Sequence, residues 1–299
     1  MNDAQPTKST EILVFGATGN QGGAVAQKLL AFGFPVRALA RDPESEAAQA
    51  LAVQGATLAE ADYTDRASLE AAMQGVYGVY VCLPFFTEDF GREVKMGQNA
   101  VDAAESTGVS HLIYSAGSRS NERTGVPHLD SKGEVERYLR ASGVPYTVLR
   151  PVAFNYSLAA YREPVVGGRL PDARDPESLL YQVDERDHAT FAAMAFLDPG
   201  AWLYRGFDTA SEALTVRELA EAFGRVVGRE VEVAPISWEE EAEMAGEEVV
   251  RLAQWVEREG PQIDMAARRE RYPWLTRTED YLRAQGWTNA AAGEDGQQG

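Results

Sequence analysis

A doubly wound parallel α/β sheet is the fold this sequence predicts, and three observations predict it. Short apolar runs alternate with helix-compatible stretches through the first half of the chain. That rhythm builds a parallel sheet with helices on both faces. Gly33, Gly55, Gly75, Gly108 and Gly143 each follow a helical stretch, where a left-handed C-cap is expected. Finally, the run Ile12-Leu13-Val14-Phe15 feeds straight into Gly16-Ala17-Thr18-Gly19-Asn20-Gln21-Gly22, a buried strand turning sharply into a helix.

Taken in order, strands are expected over 12–15, 36–40, 57–60, 76–83, 111–114 and 146–149. Helices are expected between them, over 24–30, 43–52, 68–73, 94–105 and 131–141. After Pro151 the rhythm loosens. Residues 164–176 hold several Pro and Gly and read as loop, and helices are expected over 186–197, 216–227, 238–257 and 277–284. The division that follows is a dinucleotide-binding domain, 10–152, and a smaller, mostly helical lobe, 153–288, some strands of which rejoin the main sheet. Residues 1–9 and 289–299 are expected to be disordered tails.

Composition narrows the function classes. With 44% hydrophobic and 25% charged residues, the chain is neither disordered nor membrane-like. No run approaches the roughly 20 apolar residues of a bilayer span, and the polar start lacks a signal-peptide core. A lone cysteine, Cys82, excludes an intrachain disulfide and suits a reducing cytoplasm. The net charge of −18 repels a phosphate backbone, so direct nucleic-acid binding is not expected. Neutral small molecules or a basic protein partner suit such a surface.

The glycine turn carries the functional reading. Glycines let a backbone approach a pyrophosphate, while free N–H groups and the helix dipole hold its charge. The context of strand, turn and helix is what a nicotinamide dinucleotide site needs. The spacing is Gly-x-x-Gly-x-x-Gly, and the alternative is a tight turn with no ligand. At the end of the second strand stand Arg37 and then Leu39-Ala40-Arg41, where an NAD-preferring fold usually places an acid. Arg41 suits a 2′-phosphate, which favours NADP(H). Against that stands a surface arginine, with Asp42 capping the next helix or binding a ribose hydroxyl.

Asp62-Tyr63 follows the third strand, at the edge where such sheets bind ligands. There an aspartate accepts from the adenine amino group and a tyrosine covers the ring; a plain Asx turn is the alternative. Leu83-Pro84-Phe85-Phe86, after the fourth strand, reads either as a wall beside the ribose and nicotinamide or as core. His128 and Lys132 are four apart, so on one helix they share a face. Lysine there bonds the nicotinamide ribose and histidine donates a proton near neutral pH. The alternative is a helix-entry histidine and a solvated lysine.

The remaining candidates carry less. His111 opens a strand and reads as structural, and Ser115 reads as a cap or a substrate contact. His188 starts a helix whose acidic Asp184-Glu185-Arg186-Asp187 suits its dipole. The glutamates at 239–241, 243, 247 and 248 read as a solvated helix face or a partner surface. Nothing has the pattern of a metal site.

The chain resembles the NmrA-like family, an atypical branch of the short-chain dehydrogenase/reductase superfamily. The resemblance rests on VFGATGNQGGAVAQKLL, VRALARDP, AEADYTD and, most specifically, TGVPHLDSKGEVERYLRASGVPYTVLRP; LTVRELAEAFGRVVGREVEV adds to it. It implies a Rossmann-type fold and NADP(H) held by Gly16, Ala17, Thr18, Gly19, Asn20, Gln21 and Gly22, with Arg41 at the 2′-phosphate. It also places Asp62 and Tyr63 at the adenine and Leu83, Pro84 and Phe85 along the ribose. Lys132 then holds the nicotinamide ribose, with Ala153, Phe154, Asn155 and Tyr156 beside the nicotinamide.

One departure matters. Ordinary reductases of the superfamily carry Tyr-x-x-x-Lys; here histidine replaces the tyrosine, giving His128-x-x-x-Lys132. The resemblance therefore implies one of two functions. The first is hydride transfer from NADPH to a small electron-poor acceptor such as a quinone. The second is a non-catalytic NADPH/NADP sensor that regulates a protein partner.

Overall fold

The computed structural model describes residues 10–84 and 88–289. The tails expected at 1–9 and from Ala290 on lie outside the described residues, as do Phe85 and Phe86. Asn289 closes a 3₁₀ turn, Trp287–Asn289, and so does not belong to the tail.

The described chain forms two compact units. One runs to Arg150 and includes His188–Asp208; the other holds Pro151–Asp187 and everything from Thr209 on. In the first, strands β1 (Ile12–Val14), β2 (Val36–Ala40), β3 (Thr57–Glu60), β4 (Gly78–Val81), β5 (His111–Ser115) and β6 (Tyr146–Pro151) alternate with five helices. These helices are α1 (Asn20–Ala31), α2 (Glu46–Val53), α3 (Arg66–Met73), α4 (Phe90–Thr107) and α5 (Pro127–Ala141). The second unit contributes β7 (Ala153–Phe154), a 3₁₀ turn (Asn155–Tyr161), α6 (Arg162–Val166), β8 (Arg169–Asp172) and β9 (Leu179–Val183). Helices α7 (Glu185–Leu197) and α8 (Pro199–Trp202) and strand β10 (Arg205–Thr209) follow. The chain ends with β11 (Glu212–Thr215), α9 (Val216–Val227), β12 (Glu232–Pro235), α10 (Trp238–Ala245), α11 (Glu247–Glu259), α12 (Met265–Arg271) and α13 (Thr278–Ala284).

Seven strands form the main sheet in the order β10-β6-β5-β4-β1-β2-β3. The pairings from β3 across to β6 are parallel, with Ile12 opposite both Val36 and Gly78. This is the doubly wound Rossmann order, whose crevice opens where the winding reverses, between β1 and β4. Strands β1, β4, β5 and β6 are buried throughout, as continuous apolar runs require; edge strand β3 is half-exposed. Leu13, Phe15, Val79, Leu112, Tyr114, Leu139 and Val148 fill the core beneath the sheet. Each such side chain contributes about 1.5–3 kcal/mol by leaving water.

The second unit has its own core, in which Leu219 and Phe223 of α9 pack with Leu158, Val165, Leu170 and Trp287. A capping box between Thr215 and Glu218 starts α9. Strands β11, β9 and β7 make one small sheet, and β12 pairs with β8.

Several expected boundaries move. Residues 164–176, read as loop, contain the end of α6 and all of β8; pairing with a strand more than 60 residues away overrides their Pro and Gly content. The single helix expected over 238–257 is two, because Gly246 has φ +93, which no α-helix contains. Gly33, Gly55, Gly75 and Gly108 are left-handed as expected, but Gly143 is not; α5 ends instead on extended Ser142.

Candidate functional site

The turn between β1 and α1 needs glycine for two different physical reasons. Gly16 has φ +61, a backbone that side chains rarely adopt, and its Cβ would also stand 2.9 Å from the Cys82 sulfur. At Gly22 the constraint is packing, since a Cβ would overlap the Gly16 carbonyl and the Phe15 oxygen. Gly19 has neither constraint. Its φ is −103, and a Cβ would meet only the Gly16 oxygen, at 3.4 Å, an ordinary contact. Thr18, Gly19 and Asn20 are exposed. A glycine that the fold does not require, at the N-cap of α1, keeps the approach to that helix N-terminus open. The N–H groups of Asn20, Gln21 and Gly22 have no carbonyl four residues back within the helix.

Gly22→Ala is expected to cost about 3 kcal/mol, the upper end for overpacking a dense site. Gly19→Ala is expected to cost only about 0.5–1 kcal/mol, the difference between glycine and alanine as N-cap. Urea unfolding midpoints compare the two; equal losses would refute the distinction.

Tyr63 accepts the Gly16 N–H at 2.7 Å and lays its ring 4.8 Å from that of Phe15. Burial raises its phenol far above the ordinary range. Exposed Asp62 makes an Asx turn, accepting from the Thr64 N–H and hydroxyl at 2.8 Å each. Those bonds lower its carboxyl, and Arg92 and Arg41 lower it further. Arg41, Arg92, Asp62 and Tyr63 therefore lie in one electrostatic neighbourhood beside the turn. Arg92, in the first turn of α4, carries no sequence signal. Arg37 takes no part: it pairs with Glu11 at 2.6 Å and donates to the Ala72 and Gln74 carbonyls. Asp42 accepts from Glu44, and the N-cap of α2 is Ser45, so Asp42 is not the helix cap. Leu83 packs on the core and Pro84 is exposed; Phe85 lies outside the described residues.

The Gln21 side chain turns inward. Its amide nitrogen donates to the Tyr80 hydroxyl at 2.8 Å and to the Ser115 hydroxyl, and lies 3.3 Å from His188 Nε2. Tyr80 and His188 are themselves 2.8 Å apart. Ser115 is thus part of a buried polar network at the carboxyl ends of β4 and β5 rather than a helix cap. Burial pushes the His188 imidazole down to about 3.

Pro127 opens α5, which places His128 and Lys132 on one helix and four residues apart. Both are buried, at 8% exposure, so Lys132 is not a solvated surface lysine. Its ammonium pairs with Glu93, which is fully buried on α4; Ser131 donates to the other Glu93 oxygen at 2.8 Å. Burial, reinforced by the Lys132 charge, pushes His128 down to about 3. Both causes favour the uncharged imidazole over the imidazolium. Cys82, pushed up to about 12 by burial, is a packed thiol bonded to the Phe15 carbonyl at 3.2 Å.

In the second unit, Ala153 is exposed and Phe154 stacks on Tyr156 at 5.2 Å. Asn155 is 1% exposed, and both ends of its amide lack a hydrogen-bond partner among the described residues. His111 is structural, 2.8 Å from the Thr147 hydroxyl and pushed by burial to about 4. The glutamates of α10 and α11 are not one solvated face. Glu241 and Glu248 are buried, and Glu241 accepts the Ala173 N–H. Among the described residues no cluster of His, Cys, Asp and Glu could hold a metal ion, and no helix is long and apolar enough to cross a membrane.

Strand order, glycine turn and switch-point crevice define a Rossmann-type protein of the dinucleotide-binding class. Within that class, the description of the NmrA-like family matches residues 8–281. An NmrA-like family domain-containing oxidoreductase of Aspergillus hancockii is 32% identical over 260 residues, 78% of each chain. The chain belongs to the NmrA-like family. The fold is shared with an NADPH-dependent quinone oxidoreductase of Escherichia coli complexed with NADPH, at TM-score 0.79 and 24% identity, covering 93% of this chain and 99% of that one. It is also shared with NmrA, a negative transcriptional regulator solved with NADP, at TM-score 0.76 and 22% identity, covering 97% and 99%.

Proposed function

We propose that the chain is an NADPH-dependent reductase that passes hydride to a small electron-poor acceptor such as a quinone. The observation that carries the reading is Gly19, a glycine at the N-cap of α1 that neither backbone conformation nor packing requires. The N–H groups of Asn20, Gln21 and Gly22 hold the diphosphate, and the Gly16-Ala17-Thr18 backbone curves around it. Arg41 takes the 2′-phosphate, with Arg92 as a second cation near Asp62. Asp62 and the Tyr63 ring face the adenine, Leu83 and Pro84 run along the ribose, and Lys132 donates to the nicotinamide ribose.

When bound, NADPH supplies a hydride, which with one proton reduces a quinone to a hydroquinone. Burial and the nearby Lys132 charge disfavour the imidazolium form of His128. An acceptor that draws its proton from water suits this site, and the quinones relate it to the Escherichia coli enzyme named above.

Steady-state oxidation of NADPH with a panel of quinones tests the reading. Turnover is expected, and Arg41→Ala lowers kcat/KM for NADPH about tenfold or more, the worth of a charged hydrogen bond, while leaving NADH unchanged. No turnover across the panel would sink the enzyme. A second reading, a sensor of the NADPH/NADP ratio acting on a protein partner, is favoured by the uncharged imidazole in the place of the superfamily's tyrosine acid. Tight NADPH binding without turnover supports it; a pull-down yield indifferent to cofactor redox state removes it.

A further inference from the structure

Glu93 lies 39 positions before Lys132 in sequence and has no motif of its own, yet it is the partner of the lysine. Both of its oxygens are engaged, one by the ammonium and one by the Ser131 hydroxyl at 2.8 Å. A fully buried carboxylate held at two points cannot turn without leaving a partner unpaired. The helices that carry the pair are also fixed. Gly97 lies one turn beyond Glu93 on α4 and packs on Val135, three residues beyond Lys132 on α5. A Cβ on Gly97 would stand 2.5 Å from both Val135 methyl groups. The close approach of α4 and α5, with the Gly97 backbone against the Val135 side chain, thus brings the carboxylate to the ammonium.

We propose that Glu93 is the positioning residue that holds the Lys132 ammonium against the nicotinamide ribose and so sets affinity for that half of the cofactor. The proposal rests on the reading of the site as an NADP(H) site with Lys132 at this ribose. Lysine is a point charge on a long, rotamer-rich stem, and an unanchored one samples many positions. An ammonium has three N–H donors; Glu93 uses one and leaves two for the two ribose hydroxyls. Those hydroxyls are neutral, so the charge that makes burial of the ammonium tolerable has to come from the chain. Glu93 supplies it.

The test is calorimetric titration of the wild type, Glu93→Gln and Glu93→Asp with two probes, NADPH and adenosine 2′,5′-bisphosphate. The second probe carries the phosphorylated adenosine but no nicotinamide ribose. Glu93→Gln is expected to bind NADPH about tenfold more weakly, the loss of a charged hydrogen bond, with the bisphosphate unchanged. Glu93→Asp, which keeps the charge one methylene further back, gives an intermediate loss confined to NADPH. Should Glu93→Gln not fold, Glu93→Asp decides by the same comparison. Equal weakening of both probes, or of neither, overturns the role of Glu93 while the cofactor reading stands. A folded wild type that binds neither probe overturns the cofactor reading, and this proposal with it.

Discussion

Lys132→Met lowers the unfolding free energy by about 3–5 kcal/mol, the cost of leaving a buried charge without its partner. The variant keeps the length and bulk of the side chain, so the loss measures the stranded Glu93 carboxylate rather than a cavity. The double variant Lys132→Met/Glu93→Leu removes both charges and is expected to recover most of that stability, because replacing a whole buried pair by apolar groups is often close to neutral. Neither variant recovers NADPH turnover. Chemical denaturation of both, beside NADPH oxidation, separates the two jobs of the lysine. If the double variant regains activity along with stability, Lys132 only holds the fold and the assignment to the ribose is wrong.

The second large effect is acid lability. Burial pushes His111 down to about 4, and His128 and His188 to about 3. In the unfolded chain each imidazole titrates near 6.5. Between those values the unfolded state binds more protons than the native one, so stability falls as pH falls. The contribution is complete above about pH 6.5 and is lost progressively toward pH 3–4. Each histidine weighs about 1.4 kcal/mol per pH unit inside that window, so the three together reach roughly 4. Burial raises the carboxyls of Glu185, Asp187 and Glu241, which act with the opposite sign and blunt the decline at its acid end. Urea midpoints from pH 7.5 to 5 read the slope. His111→Gln keeps a polar group opposite Thr147 and is expected to make the slope shallower by about one third; an unchanged slope would show that His111 does not stay neutral in the native state.

Much of this architecture was legible because its cause is local. Continuous apolar runs such as Ile12 to Phe15 can only be buried strands, and a glycine at 22 announces a close helix–strand contact without any partner being known. The helix expected over 131–141 left His128 outside it; in the structure α5 starts four residues earlier, at Pro127, a good first residue, and so carries both His128 and Lys132. The charge state of His128 was not legible, because burial belongs to the folded chain. Glu93, Arg92 and the bond from Gly16 to Tyr63 depend on segments brought together from 30 to 47 positions away, and no periodicity encodes them. The break at Gly246 was within reach, since a glycine amid an acidic helix is a stop signal as readily as a tolerated residue. Strand β8 was not, because Pro and Gly argue for turn until β12 arrives to pair with it.

The interior placement of every imidazole and of the one thiol has a practical meaning for chemical probing. Cys82, His111, His128 and His188 are all screened from solvent, and they are the whole complement of such groups in the chain. Diethyl pyrocarbonate and maleimides therefore find their targets only in molecules that have opened, and the labelling rate becomes a direct count of those openings. An uncleaved hexahistidine tag, by contrast, would be the sole imidazole signal on an intact surface.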